Sequence, residues 1–279
     1  MKLCNFQTRV GPHLAAKTDQ GIVDLNIAGY RGDMDDVIHG GDAEMAKVVG
    51  AFPHAPVVLS PLQPDRLCYP QKILCVGLNY RSHAEETNES APTQPILFSK
   101  FTNALSACNM DVPLPKVLNH YDYEAELVIV MGKTCYQVSE EEALDYVFGY
   151  TCGNDLSARD GQFISGQWLI GKTLPGFAPA GPFIVTPDEF NPNEPHRITC
   201  RRNGTLVQDS NTQNMIFSCA KIISYASQFI RLVPGDLIFT GTPEGVILGK
   251  PESERDWLKP GETLEVTIEG IGTLTNRLV

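Results

Sequence analysis

The stretch DYEAELVIV, residues 122–130, runs three acids straight into an apolar strand. On a strand alternate residues share a face, so Asp122, Glu124 and Glu126 point one way and Tyr123, Ala125 and Leu127 the other. Val128 and Val130 continue the acidic face with apolar side chains, so the strand passes from a polar mouth into a core. The plainer reading is a sheet edge whose first residues are solvated. Carboxylates at i and i+2 on one face repel, however, and close to a core each needs a partner. A divalent cation supplies one, and all-oxygen ligands select a hard ion such as Mg²⁺, Mn²⁺ or Ca²⁺ over zinc. A further acid is offered by FGYTCGNDLSARD (148–160), where Asp155 ends a strand-like run and begins an expected helix. Alone, Asp155 reads as an N-cap.

Outward from this stretch, strand-like runs recur from Lys72 onward: KILCVGL (72–78), PILFSK (95–100), ELVIVMGK (126–133), YVFGYTCG (146–153), GPFIVT (181–186), HRITCRRNG (196–204), DLIFTG (236–241) and TLEVTIEGIGTL (263–274). They are rich in β-branched residues and bounded by Gly, Pro, Asn and Asp. Helices are expected over SEEEALDYV (139–147), with an acidic first turn, after Asp155, and over MIFSCAKIISYASQFI (215–230) with apolar residues at helical spacing. Residues 1–68 read as a small separate N-terminal domain with short strands and a helix near Ala43–Val49. It ends in the Pro-broken FPHAPVVLSPLQPDRL (52–67), a linker to a larger domain over 69–279.

The chain has 279 residues, 24 Gly and 20 Pro, and a formal net charge of −11. With no Lys/Arg-rich run it lacks what binding to a nucleic-acid backbone or an anionic membrane needs. The N-terminus MKLCNFQTRVG has no apolar leader, no apolar run is long enough to cross a bilayer, and a cytoplasmic protein is expected. The 8 cysteines form no CxxC pair and read as reduced, mostly buried thiols. The sequons at Asn88 and Asn203 are then chance matches.

The combination of motifs resembles the fumarylacetoacetate hydrolase family, whose core carries a Glu-x-Glu on one strand and an Asp further on in an (N)D-x-(S/T)-A-R-D context. The resemblance runs in order through KILCVGLNYRSHAEE (72–86), PILFSK, DYEAELVIVMGK (122–133), GYTCGNDLSARDGQ (149–162), GKT (171–173), GDLIFTGTPEGV (235–246) and the C-terminal KPGETLEVTIEGIGTLTN (259–276). It implies a mainly β, α+β fold, the family's mixed β-sandwich roll. It implies Mg²⁺ or Mn²⁺ on Glu124, Glu126 and Asp155, with Ca²⁺ as a substitute in crystals, and Asp122 behind these ligands. It also implies a homodimer acting on small anionic 2-oxo or 2,4-dioxo acids that chelate the metal.

Cleaving the C–C bond of a 2,4-dioxo acid needs a water nucleophile, a base, and stabilisation of the leaving carbanion, which a metal provides by holding the pyruvate half as an enolate. His83 and Glu86, three apart, share one side of a helical turn, where the carboxylate orients the imidazole as a base; adjacent Glu85 is the alternative. Their surroundings, RSHAEETNESAPTQ (81–94), are polar, as a lid should be. Arg159 suits a clamp on a substrate carboxylate, with Gln162 as a hydrogen-bond donor. Lys172, isolated in WLIGKTLPG, needs anionic company and is placed behind the metal carboxylates or against an anionic intermediate. Thr240 and Thr242 in TGTPEGV are expected to grip a carboxylate, and Tyr80 and Lys100 to line the pocket. His120 matches no ligand position. ILGKPESERDWLKPGE (247–262) shapes either the pocket rim or a dimer contact. The expected activity is metal-dependent hydrolysis of C–C bonds in acylpyruvate-like acids. The rivals are decarboxylation of oxaloacetate-type acids, or isomerisation and dehydration, on the same metal, and more distantly a non-catalytic binding protein.

Overall fold

The computed structural model describes residues 1–58, 63–87 and 90–279; positions 59–62 of the Pro-rich linker, and Asn88 with its sequon and Glu89 in the expected lid, lie outside the described residues. Where β-branched runs end in Gly, Pro or Asn, strands form. At the N-terminus these are Lys2–Thr8 (β1), Gly11–Thr18 (β2) and Gly21–Asp24 (β3). Ile73–Gly77 (β4), Ile96–Lys100 (β5), Leu105–Ala107 (β6), Ala125–Met131 (β7), Val147–Asn154 (β8) and Ala178–Val185 (β9) follow. The C-terminal third adds Arg197–Arg202 (β10), Thr205–Asn211 (β11), Leu237–Phe239 (β12), Thr263–Ile268 (β13) and Gly272–Leu278 (β14). The architecture is mainly β with short helices, the α+β class that the resemblance implied.

One 11-stranded sheet runs β3-β2-β1-β9-β8-β7-β12-β4-β5, with β6 parallel on β9 and Gln63–Pro64 on β1. A 5-stranded sheet runs β11-β10-β13-β14 and ends on Asp111–Val112. The strands of segment 1–68 continue the sheet of segment 69–279, with Lys2 opposite Val185 and Leu3 opposite Ile184. The alternation read in DYEAELVIV sorts its side chains into two cores. Leu127, Ile129 and Met131 pack with Val266 and Leu274 between the sheets, whereas Val128 and Val130 pack with Leu3, Leu14 and Phe239 on the other face. Side chains so buried each contribute about 1.5–3 kcal/mol, which fixes the strand's register and therefore the face on which its acids stand.

The helices differ from expectation in ways that local chemistry explains. The first, α1, spans Met34–Ala51, further than the expected Ala43–Val49, because Asp33 and Asp36 form a capping box upstream. The helix is broken at Gly41, whose φ of 58° leaves the helical region. Over 139–147 only a 3₁₀ turn forms, at Ala143–Tyr146. The Tyr146 carbonyl accepts from Gly132 N–H at 2.7 Å, which draws the chain into β8 before a longer helix can grow. In 215–230 the helix (α5) is Cys219–Ser227, capped by Ser218. Its expected first residues are held out by Asn79, whose carbonyl and Oδ1 accept from Ile216 and Phe217 N–H at 2.7 and 2.8 Å.

Three short helices face the end of β7: Arg81–Glu86 (α2), Arg159–Gln162 (α3) and Leu169–Lys172 (α4). α3 and α4 touch through Gly171, where a Cβ would lie 2.3 Å from Gln162 N and 2.4 Å from Ala158 O. Backbone on both sides leaves no flexible atom to move. Gly171→Ala is accordingly expected to cost about 1–3 kcal/mol of stability by overpacking, read as a lower midpoint in urea unfolding; an unchanged midpoint would show that the two helices can separate freely.

Candidate active site

β7 enters the core at Ala125, and the acids stand just before it and at its start. Glu124, Glu126 and Asp155 are all buried and each offers an oxygen within 4.8 Å of the others. Their placement is fixed by backbone: Asp155 N–H donates to Glu124 O at 2.9 Å, and Glu124 N–H to Asn154 Oδ1 at 3.0 Å. Asp155 is not an N-cap, since α3 starts only at Arg159 and the Asp155 carboxylate is taken by lysines. Lys172 Nζ lies 2.8 Å from both Glu124 Oε2 and Asp155 Oδ2, and Lys100 Nζ bonds Asp155 Oδ1. Arg159 Nη2 lies 2.7 Å from Glu124 Oε1 and 2.8 Å from Asp122 Oδ2, while its Nη1 donates to Gln162 Oε1 at 2.9 Å. Lys172 also sits 5.1 Å from the centre of the Phe98 ring.

Four buried carboxylates thus meet three buried cations, and the excess falls on Glu126. Its one hydrogen bond among the described residues comes from Gly241 N–H, at 2.7 Å. Gly241 has φ +98° and no room for a Cβ, which would meet Asn79 Cβ at 2.7 Å. Burial, then the neighbouring Asp155 and Glu124, push the Glu126 carboxyl well above its usual range. Burial opposes ionisation of Glu124 as well, but Lys172 and Arg159 overcome it and hold that carboxyl at about 2. Burial would lower the Lys172 ammonium, and Asp155 and Glu124 raise it instead. An oxygen-only set with one carboxylate in excess is a fit for Mg²⁺ or Mn²⁺ on Glu124, Glu126 and Asp155.

Above the acids lies a cavity of ≈ 620 Å³. Glu124, Glu126, Arg159, Gln162, Lys172 and Thr242 all reach it, and so do His83 and Glu86 from α2. His83 Nδ1 is 2.8 Å from Glu86 Oε1, and Glu86 Oε2 accepts from Gly245 N–H at 2.9 Å. Glu85 is exposed, so the structure pairs His83 with Glu86. Thr242 Oγ1 accepts from Gln208 Nε2 at 2.9 Å; Thr240 is turned away, donating to Leu127 O at 2.8 Å. Tyr80 and Lys100 lie outside the lining, and the buried Tyr80 hydroxyl has no hydrogen-bond partner among the described residues. His120 stacks on Trp257 at 4.8 Å. All eight cysteines are free, seven of them buried.

Sequence reasoning missed three side chains. Gln208 bridges Ala125 N–H, at 3.0 Å, to Thr242 and to Pro243 O, so it ties the acid strand to the 240–246 turn. Asn79 donates to Thr240 O at 2.7 Å, and Asn154 orients Glu124. All three are uncharged polar residues, and only their burial marks them out.

The family model described as fumarylacetoacetate (FAA) hydrolase C-terminal matches residues 72–279. The chain belongs to the fumarylacetoacetate hydrolase family, a family of enzymes. It is 37% identical over 293 residues to the oxaloacetate tautomerase FAHD2B, mitochondrial, of Bos taurus, covering 100% of this chain and 92% of that one. It is 46% identical over 203 residues to a 2,4-didehydro-3-deoxy-L-rhamnonate hydrolase of a Sphingomonas strain, covering 72% and 71% of the two. Fumarylpyruvate hydrolase from Pseudomonas aeruginosa, solved in complex with Mn²⁺ and pyruvate, is similar at a TM-score of 0.69 and 32% identity, over 80% of this chain and 99% of that one. Among the described residues no helix is long and apolar enough to cross a membrane.

The raised Glu126 carboxyl sets a sign for stability. In cation-free protein its contribution is intact below the ordinary 4.5 and is lost as pH rises towards the folded value, because the unfolded chain gives up the proton first. In EDTA, Glu126→Gln is therefore expected to be at least as stable as the parent at neutral pH, with a flatter pH profile above 4.5, measured by thermal unfolding. The same variant is expected to lose Mn²⁺ affinity in calorimetry. A variant that binds Mn²⁺ as the parent does would remove Glu126 from the ligand set.

Proposed function

We propose that the chain is a divalent-metal-dependent hydrolase that cleaves a C–C bond in a small 2,4-dioxo acid. The observation that supports this most is that the His83–Glu86 pair lines the same cavity as Glu124 and Glu126, two of three convergent carboxylates whose third, Asp155, lies buried behind them. A divalent cation on Glu124, Glu126 and Asp155 supplies Lewis acidity towards the 2-oxo acid end of the substrate. With Nδ1–H directed to Glu86, His83 keeps Nε2 as its basic nitrogen. That atom takes a proton from water, the hydroxide oxygen bonds to C4, and the C3–C4 bond breaks. Its electron pair goes to C3, which takes up a proton, so that one acid and one 2-oxo acid leave. Lys172 and Arg159 keep positive charge beside the reacting carbonyls, and Gln162, whose Oε1 is occupied by Arg159, has its amide N–H groups left for a substrate oxygen.

A second reading is tautomerisation of an oxaloacetate-type acid, favoured by the Bos taurus relative that aligns over the whole chain. There His83 would move a proton at C3 without any water attack. Incubation with Mg²⁺ or Mn²⁺ and a panel of acylpyruvates, fumarylpyruvate, 2-oxo-3-deoxy sugar acids and oxaloacetate separates the two. Release of a carboxylic acid from a dioxo acid, slowed about 10²–10⁴-fold in His83→Ala, is expected. Enol–keto exchange of oxaloacetate with no acid released from any dioxo acid would replace hydrolysis by tautomerisation.

A homodimer belongs to the same proposal. Phe101, Phe163, Ile164 and Ile170 are exposed apolar side chains on the adjoining ends of β5, α3 and α4, a surface suited to a second copy. Light scattering is expected to give twice the chain mass.

A further inference from the structure

Gln208 is the single buried residue of β11, whose other residues are exposed or half-buried. A buried strand position ordinarily takes an apolar side chain, and an amide set there needs partners for its polar atoms. The strand is bent where it delivers this one. Gln208 stands opposite Cys200 and Leu206 opposite Arg201, so Val207 is the extra residue of a bulge, a device that re-aims neighbouring side chains. Gly245 closes on the same point, where a Cβ would lie 2.3 Å from Val207 O.

The neighbours dictate which way the amide faces. Ala125 N–H can only donate, and it does so to Gln208 Oε1 at 3.0 Å. Pro243 O can only accept, and it takes an Nε2–H at 2.9 Å. Nε2 therefore meets Thr242 Oγ1, also at 2.9 Å, as a donor. A hydroxyl that accepts on one side has its own proton turned elsewhere, and Thr242 Oγ1 donates to no partner among the described residues. Thr242 lines the same cavity as Glu124 and Glu126, so its O–H is left for whatever that cavity holds. Thr240 shows the contrast, since its hydroxyl is consumed by Leu127 O at 2.8 Å.

We propose that Gln208, which does not itself line the cavity, is a positioning residue that makes the Thr242 hydroxyl a hydrogen-bond donor to a carboxylate oxygen of the substrate. The inference rests on the 2-oxo acid reading above and adds a residue that acts through another. Without the amide, Thr242 is free to give its proton to the carbonyls of Pro243 or Glu244, which Gln208 now occupies, and to turn a lone pair towards the anion. The acids do not depend on Gln208 in the same way. Ala125 is also held opposite Asn154 in the β7–β8 pairing, and Glu124 is held by Asn154 and by Asp155 N–H. Loss of the amide is therefore felt by a bound anion and not by a bound cation.

The test is a double-mutant cycle read by calorimetry, with pyruvate titrated into the Mn²⁺-loaded protein and Mn²⁺ titrated into the cation-free protein. Gln208→Met, similar in size but without a donor, is expected to weaken pyruvate about tenfold, with Mn²⁺ affinity close to the parent's. Thr242→Val is expected to cost a similar factor, and Gln208→Met added to it nothing further. Thr242→Ser, which keeps the hydroxyl, is expected to restore the dependence on Gln208. If Gln208→Met does not fold, Gln208→Asn, whose shorter amide cannot span Ala125 and Thr242, carries the same comparison. Unchanged pyruvate affinity in the Gln208 variant, a penalty that persists in Thr242→Val, or a parallel fall in Mn²⁺ affinity overturns the inference and leaves the 2-oxo acid reading standing. Failure of the Mn²⁺-loaded parent to bind pyruvate overturns both.

Discussion

Four buried carboxylates and three buried cations meet beneath one cavity, and much of the fold around β7 can be understood as the means of holding them there. A buried carboxylate is tolerable only when paired or when it keeps its proton. Asp122, Glu124 and Asp155 are paired; among the described residues Glu126 has only a backbone N–H. The pairing draws on separate elements: Lys100 from the end of β5, Arg159 from α3, Lys172 from α4. Gly171 permits the α3–α4 contact that brings the last two within reach of the same carboxylate.

The turn at 240–246 does a second job in the same network. Its backbone donates to Glu126 through Gly241 and to Glu86 through Gly245, so one rigid segment orients both an acid on the floor and the carboxylate behind His83. Gln208 locks that turn to the start of β7. Asp122 extends the frame outward, since one carboxylate holds Arg159 and also the first N–H groups of segment 246–258. Glu126, the His83–Glu86 pair and the start of segment 246–258 are therefore connected by charged or backbone hydrogen bonds, which are stronger in such buried surroundings than in water.

How far the sequence revealed this depends on the kind of signal. Period-two alternation in DYEAELVIV was decisive, because Val128 and Val130 fall in one core and Leu127 and Ile129 in the other. The spacing of His83 and Glu86 foretold their contact, and Glu85 was set aside only by its exposure. Local patterns failed where a long-range partner decides: the 139–147 helix yields to the β7–β8 pairing, and the expected start of α5 yields to Asn79. Asp155 looked like a cap because only tertiary structure brings Lys100 and Lys172 to it. Gln208 left no trace, and Asn79 and Asn154 stood inside the matched motifs without a role, since neutral polar residues look alike in sequence whether solvated or buried.

The excess carboxylate also connects the candidate metal site to the charge of its substrate. Without a cation the cluster approaches neutrality only by keeping a proton on Glu126, whose carboxyl is raised by burial and by Asp155 and Glu124. A divalent ion entering there would displace that proton and turn the sum from neutral to positive by one, since two charges arrive for one that leaves. A small anion would then find an attractive floor that the cation-free protein does not offer, in a cavity whose apolar walls leave the attraction poorly screened. The same arithmetic explains why three cations can stand so near a cation site: they neutralise Asp122, Glu124 and Asp155, and it is the unmatched Glu126 that makes room for one more positive charge.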